Sequence, residues 1–235
     1  MDRTLITDPY KVLINYEALY ESPKNKSGEY IGPLVAYAGV EPTTQKNWVG
    51  FAYYNISKVE QSSEVREYLA QTMAKKIKDE VGSPTLIIGA PMGGIILAVS
   101  AADQLKCDVA FFEKKVTKLA DSANNTKEKS ELVFNRHVIS KHDKVILFED
   151  VCNNFSTTDQ MINLINAKGA TILAIVCIVN RSPFHFWEGI PIVSAIHINT
   201  PEYSQTDPNV KNLIAAGNIV WKPKAEWERL KKAME

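Results

Sequence analysis

No apolar run in this chain is long enough to span a bilayer. The longest, Ala170 to Val179, is ten residues, against about 20 for a spanning helix. The first residues, MDRTLITDPYKVL, contain no signal-peptide core. Cysteine is scarce and odd in number: Cys107, Cys152 and Cys177 lie in or beside apolar segments and have no metal-type spacing, which excludes a disulfide framework and points to reduced thiols in a cytoplasmic protein. Charge of either sign is not in excess, with 27 basic and 27 acidic residues. That balance gives no support to a nucleic-acid or membrane-surface role driven by bulk electrostatics. Internal repeats and low-complexity tracts are also missing.

What is present is enough apolar side chain for a full core: 235 residues, 45% hydrophobic, fitting one α/β domain with an extension. Pro9 to Tyr20 reads as a helix, and Pro33 to Ala38 as a strand inside a polar stretch from Ser22 to Asn47. Trp48 to Ile56 alternates as another strand. Val65, Leu69, Met73 and Ile77 keep helical spacing through Ser62 to Val81, and Gly82-Ser83-Pro84 stops that helix. Strands near 85–89, 108–112, 145–149, 171–179 and 192–198 then alternate with helices, the pattern of a doubly wound parallel sheet. A tail from Asp207 ends in a helix from about Lys224.

Val145 to Phe148 are continuously apolar, as in a strand buried on both faces, and run straight into Glu149-Asp150. Open α/β sheets bind ligands just beyond the carboxyl ends of their strands, where such a pair has a use and no packing role. The next residues, Val151, Cys152, Asn153, Asn154, Phe155, Ser156 and Thr157, lead into a helix with apolar positions Met161, Ile162, Leu164 and Ile165. Free amides and the positive dipole end at that helix start favour phosphate. Ser156 and Asp159 also match a capping box, which would make the segment an ordinary helix start. Upstream, the strand TLIIG (Thr85–Gly89) runs into Ala90-Pro91-Met92-Gly93-Gly94, where paired glycines allow a backbone to approach an anion. Phe111 to Lys118 ends in a basic cluster, and Leu119 to Lys144, containing Asn124-Asn125, is polar and aperiodic.

The run from Glu149 through Lys168-Gly169-Ala170 resembles the phosphoribosyl pyrophosphate (PRPP) signature of type I phosphoribosyltransferases, in particular the orotate type. The resemblance implies a type I phosphoribosyltransferase core at 61–200, an N-terminal hood at 1–60 that covers the nucleobase together with part of the tail, and a helical extension at 201–235. It implies transfer of ribose 5-phosphate from magnesium-bound PRPP to a base with release of pyrophosphate, in nucleotide biosynthesis and in a homodimer. Glu149, Asp150 and Lys118 would be catalytic, with the two carboxylates on the ribose hydroxyls. The 151–157 loop would hold the 5′-phosphate. Pro91, Met92, Gly93, Gly94, Lys114 and Lys115 would meet the pyrophosphate, with magnesium entering through PRPP. Lys24 and Lys26 lie where orotate-type enzymes keep a lysine for the base, and Trp48 to Asn55 is similar to their following aromatic strand. Asn153 cannot take a proton from a base, which favours a pyrimidine substrate over the purine phosphoribosyltransferase alternative.

Two residues depart from the pattern. Glu113 stands where an arginine is expected, and Phe155 where the phosphate loop has glycine. They keep open a catalytically inactive, nucleotide-binding regulatory relative. Lys118 to Ser140 are expected to stay mobile until PRPP binds.

Overall fold

A computed structural model describes residues 8–118 and 129–235. Along the chain run α1 (Pro9–Asn15), β1 (Leu19–Glu21), β2 (Leu34–Val40), β3 (Asn47–Gly50), β4 (Ala52–Tyr54), α2 (Ile56–Glu60), α3 (Ser63–Glu80), β5 (Leu86–Gly89), α4 (Gly94–Leu105) and β6 (Asp108–Phe111). They are followed by β7 (Glu113–Lys118), β8 (Lys129–Val133), β9 (Lys144–Cys152), α5 (Ser156–Asn166), β10 (Thr171–Asn180), β11 (Phe186–Trp187), β12 (Ile190–His197), α6 (Lys211–Ala215), β13 (Ile219–Val220) and α7 (Trp227–Met234). The chain divides into two compact units: one through Ser62 with residues 181–183 and the tail from His197, the other from Ser63 to Asn180 with Phe184 to Ile196.

The larger unit carries a six-stranded sheet in the order β11-β12-β10-β9-β5-β6. β10, β9, β5 and β6 run parallel, and helices alternate with them, so the α/β sheet read from the sequence is the one observed. The apolar runs are buried as parallel strands require: Ile87, Ile88, Val145 to Phe148 and Ile175 to Val179 have no solvent exposure. Val65, Leu69, Met73 and Ile77 of α3 are buried at the four-residue spacing that marked the helix.

The smaller unit contains a three-stranded sheet, β13-β2-β3, and the antiparallel pair β1-β4. Its core joins Tyr20, Val35 and Tyr37 to Val220, Trp227 and Leu230 from the tail. Several boundaries differ from the sequence reading. Pro9 to Tyr20 is a helix only to Asn15 and then β1. The Trp48–Ile56 strand is broken at Phe51, which stacks on Tyr30 with centroids 3.8 Å apart.

Candidate functional site

The chain leaves β5 for its neighbour β6 and leaves β9 for its neighbour β10, while β5 and β9 lie side by side. This is a topological switch point, the place where an open α/β sheet forms a ligand crevice. The segment after β5 is drawn tightly against the end of β9. Ala90 donates its N–H to the Phe148 carbonyl at 2.8 Å. A Cβ on Gly94 would lie 2.1 Å from that carbonyl oxygen, and one on Gly93 would lie 2.1 Å from Asp150 Oδ2. The paired glycines are therefore needed first for contact with β9, which brings residues 90–94 to the acidic pair. The Pro91–Met92 peptide is cis, and Met92 is exposed at the tip.

Glu149 and Asp150 lie inside β9, not beyond its end: Glu149 pairs with Cys177, and the ladder continues to Cys152 and Asn180. Successive strand residues face opposite sides. Asp150 accordingly borders Gly93, its Oδ1 accepting the Val151 N–H at 2.8 Å. Glu149 interacts with Lys114. Loss of water around Glu149, and then the adjacent Asp150 charge, push its carboxyl up to about 8, with Lys114 pulling the other way. A carboxyl held there titrates near neutrality, a property concentrated at functional sites.

Because β9 runs on to Cys152, the connection to α5 is only Asn153, Asn154 and Phe155. Val151 belongs to the strand, and the buried Cys152 side chain packs in the core, its thiol pushed up by Cys177 and by burial. Phe155 has φ 56°, the left-handed conformation that glycine adopts most easily. Its ring is buried, stacked on Trp187 with centroids 4.4 Å apart and planes 14° from parallel. A bulky residue thus keeps a glycine-type backbone turn by sending its side chain into an aromatic cluster. Ser156 and Thr157 open α5, with the Ser156 hydroxyl residue exposed, whereas Thr158 is buried. The capping box does not form: Phe155 is the N-cap without a side-chain bond. Asp159 instead accepts the Trp187 indole N–H at 2.5 Å.

The basic cluster lies on a hairpin the sequence did not show. β7 pairs antiparallel with β8, and Leu132 within β8 and Ile139 beyond it are buried, so part of the polar segment expected to hold no packed element does hold one. Polarity hid the hairpin, because β7 has only one apolar residue, Val116, to reveal its alternation. Residues 119–128 of the expected lid, Asn124 and Asn125 included, and the Lys118 side chain lie outside the described residues. Lys114 and Lys115 fall on opposite faces of β7, Lys114 across from Leu132 and Lys115 across from Glu131. Glu113 binds Arg136 Nε at 2.8 Å. Arg136, 23 residues later in the chain, thus pairs with the glutamate that stands at the expected arginine position. The Arg136-His137 pair inside a polar segment was the signal for it.

Within the smaller unit, Glu21, Lys24, Tyr30, Phe51, Thr200 and Tyr203 help line a pocket of about 310 Å³. Lys24 Nζ sits 4.4 Å from the Tyr30 ring centroid. Lys24 lines this pocket and Lys26 does not. Tyr30 and Tyr203 escaped the sequence reading because their segments show no periodicity.

Among the described residues no three His, Cys, Asp or Glu side chains come together as a metal site, and no helix is long and apolar enough to cross a membrane.

The parallel sheet, its switch point and the acidic β9 define a ligand-binding α/β protein, and residues 58–183 match the phosphoribosyl transferase domain model. The chain belongs to that family. It is 28% identical over 172 residues, 73% of this chain and 82% of the relative, to a protein from Carboxydothermus hydrogenoformans named orotate phosphoribosyltransferase. It is 25% identical over 155 residues, 66% of this chain and 74% of the relative, to one of the same name from Caldanaerobacter subterraneus subsp. tengcongensis. Among solved structures, the orotate phosphoribosyltransferase of Aeropyrum pernix matches with a TM-score of 0.52 at 13% identity, over 80% of this chain and 93% of that one. The adenine phosphoribosyltransferase of Leishmania donovani matches with a TM-score of 0.52 at 14% identity, over 92% and 94%. At these identities the structural matches speak for the fold alone.

Proposed function

We propose that the chain is a phosphoribosyltransferase of the orotate type, moving ribose 5-phosphate from PRPP to a pyrimidine base and releasing pyrophosphate. The observation that carries this reading is the juxtaposition at the switch point: Gly93 against Asp150, with the α5 N-terminus following directly. Family membership and the orotate phosphoribosyltransferase relatives support it.

In this reading the loop and α5 amides, with Ser156 and Thr157, take the 5′-phosphate. Asp150 and ionised Glu149 accept hydrogen bonds from the ribose hydroxyls. Displacement at the sugar C1 breaks the bond to pyrophosphate and forms one to a base nitrogen, through an oxocarbenium-like centre. Negative charge grows on the departing diphosphate, and Lys114 and Lys118 from the hairpin stabilise it. Glu149 and Asp150 are the carboxylates that would meet a magnesium ion brought in on PRPP, and such an ion would neutralise diphosphate charge there. A planar pyrimidine matches the stacked Tyr30 and Phe51, and Lys24 matches an anionic base. Asn153 offers no general base, and orotate needs one less because its ring nitrogen can be presented as an anion. The protein acts as a homodimer in this reading, through the exposed apolar stripe Met92, Ile96 and Val99.

A second reading, a PRPP-binding regulator without turnover, was motivated by Glu113 and Phe155. The Arg136 partner of Glu113 and the left-handed turn of Phe155 each offer an explanation compatible with catalysis. The deciding test is pyrophosphate release with magnesium and PRPP against orotate, uracil, hypoxanthine, guanine, xanthine and adenine. Release with orotate is expected; PRPP binding by calorimetry without release on any base establishes the regulator instead.

A further inference from the structure

Trp187 is fixed before it touches the phosphate loop. It lies on β11, paired with Ile190 of β12 across the two-residue turn Glu188-Gly189, both with positive φ, 50° and 78°. From that edge hairpin one indole reaches both the loop and the helix that follows it. Its face stacks on Phe155, the residue in left-handed conformation at the N-cap of α5. Its N–H donates to Asp159, in the first turn of the same helix, at 2.5 Å. Phe184 closes the cluster, with ring centroids 5.4 Å from Trp187 and 6.3 Å from Phe155.

The second contact has a chemical consequence. A carboxylate in the first turn of a helix is drawn to the positive end and to the amides there, of which the Ser156 N–H is donated to Asn154 Oδ1 at 3.3 Å. Those are the groups that an incoming phosphate must use. The sequence itself offers this competition, since Ser156 and Asp159 have the spacing of a self-capping helix start. In the structure the carboxylate is bonded elsewhere, and its partner is Trp187.

We propose that Trp187 is a positioning residue for phosphate binding: its indole N–H holds the Asp159 carboxylate off the loop amides, while its ring fixes Phe155 in the turn that sets the loop path. The inference rests on the assignment of the 5′-phosphate to this loop. It predicts a specific pattern of loss and rescue, because Phe at position 187 keeps a stacking ring but has no donor.

The test titrates the full chain with ribose 5-phosphate and with magnesium-PRPP by calorimetry, and measures KM for PRPP and kcat. Trp187→Phe is expected to weaken both ligands about tenfold, the size of one hydrogen bond to a charged group, and to raise KM far more than it changes kcat. Adding Asp159→Ala to Trp187→Phe is expected to restore affinity to within about twofold of the unmodified protein, since the competing charge is gone. Asp159→Ala alone is expected to bind both ligands at least as tightly as the unmodified protein, and it keeps the indole for folding. Unchanged affinity in Trp187→Phe, no rescue in the double variant, or weaker binding in Asp159→Ala overturns the proposal while leaving the phosphate loop in place. If the unmodified protein binds neither ligand, the phosphate-loop assignment falls and this inference falls with it.

Discussion

Glu149 is the residue whose chemistry the sequence could least announce. Its position at the end of an apolar run was legible, because a carboxylate there has no packing role. Its protonation was not, since that depends on the closeness of Asp150 and on water lost in three dimensions. The raised carboxyl, at about 8 against an ordinary 4.5, fixes the sign of a pH effect. Below 4.5 folded and unfolded chains both hold the proton. Between 4.5 and 8 the unfolded chain releases it and the folded chain retains it, so this group's contribution to stability falls as pH rises and levels off above 8. The full effect has an upper bound on the order of 5 kcal/mol. In Glu149→Gln, denaturant unfolding should lose this downward component between pH 5 and 8, so that the difference between variant and unmodified protein grows with pH. PRPP affinity should behave oppositely, rising towards pH 8 in the unmodified protein as Glu149 ionises and staying flat in the variant. Parallel pH profiles for the two proteins would remove Glu149 from the titration.

Elements were legible where their periodicity was apolar and illegible where it was polar. The α3 helix and strands β5 and β10 were read closely, because each buries a continuous or regularly spaced apolar set, while β9 was read three residues short where its apolar run gives way to Glu149-Asp150. Phe155 was read as an obstacle because a sequence shows the missing glycine and not the direction of the ring. The β7–β8 hairpin escaped, and with it the separation of Lys114 from Lys115. That separation yields a prediction at the level of the strand. Lys114 acts on Glu149, so Lys114→Ala should raise the Glu149 carboxyl further and weaken magnesium-PRPP binding about tenfold, as loss of a charged hydrogen-bond donor does. Lys115, on the other face across from Glu131, should tolerate Ala with less than about a threefold change, the worth of an exposed charge pair. Calorimetry on the two variants decides; equal losses would mean that the hairpin presents both lysines to one ligand.

At the scale of the whole chain, the sheet was legible in the apolar pattern, whereas the tail's place beside the N-terminal residues came only from the family resemblance. The tail's helix is short, and β13 is two residues long, too little for a periodic signal. Yet β13 pairs parallel with β2, Ile219 opposite Leu34 and Val220 opposite Val35, a contact between positions 185 residues apart. Trp227 and Leu230 then bury their side chains with Tyr20 and Tyr37, so the smaller unit depends on residues from both ends of the described chain. Removing these two large side chains from the core should cost about 2–5 kcal/mol each, a major share of the roughly 5–15 kcal/mol that stabilises a domain. The double variant Trp227→Ala/Leu230→Ala should therefore lose amide-exchange protection throughout β2 and β3, while β9 and β10, whose core is built within Ser63 to Ile196, keep theirs. Undiminished protection in β2 would show that the tail is a covering and not part of the core. Equal loss in β9 would show instead that the two units unfold as one, a cooperativity that the division of the core between them does not predict.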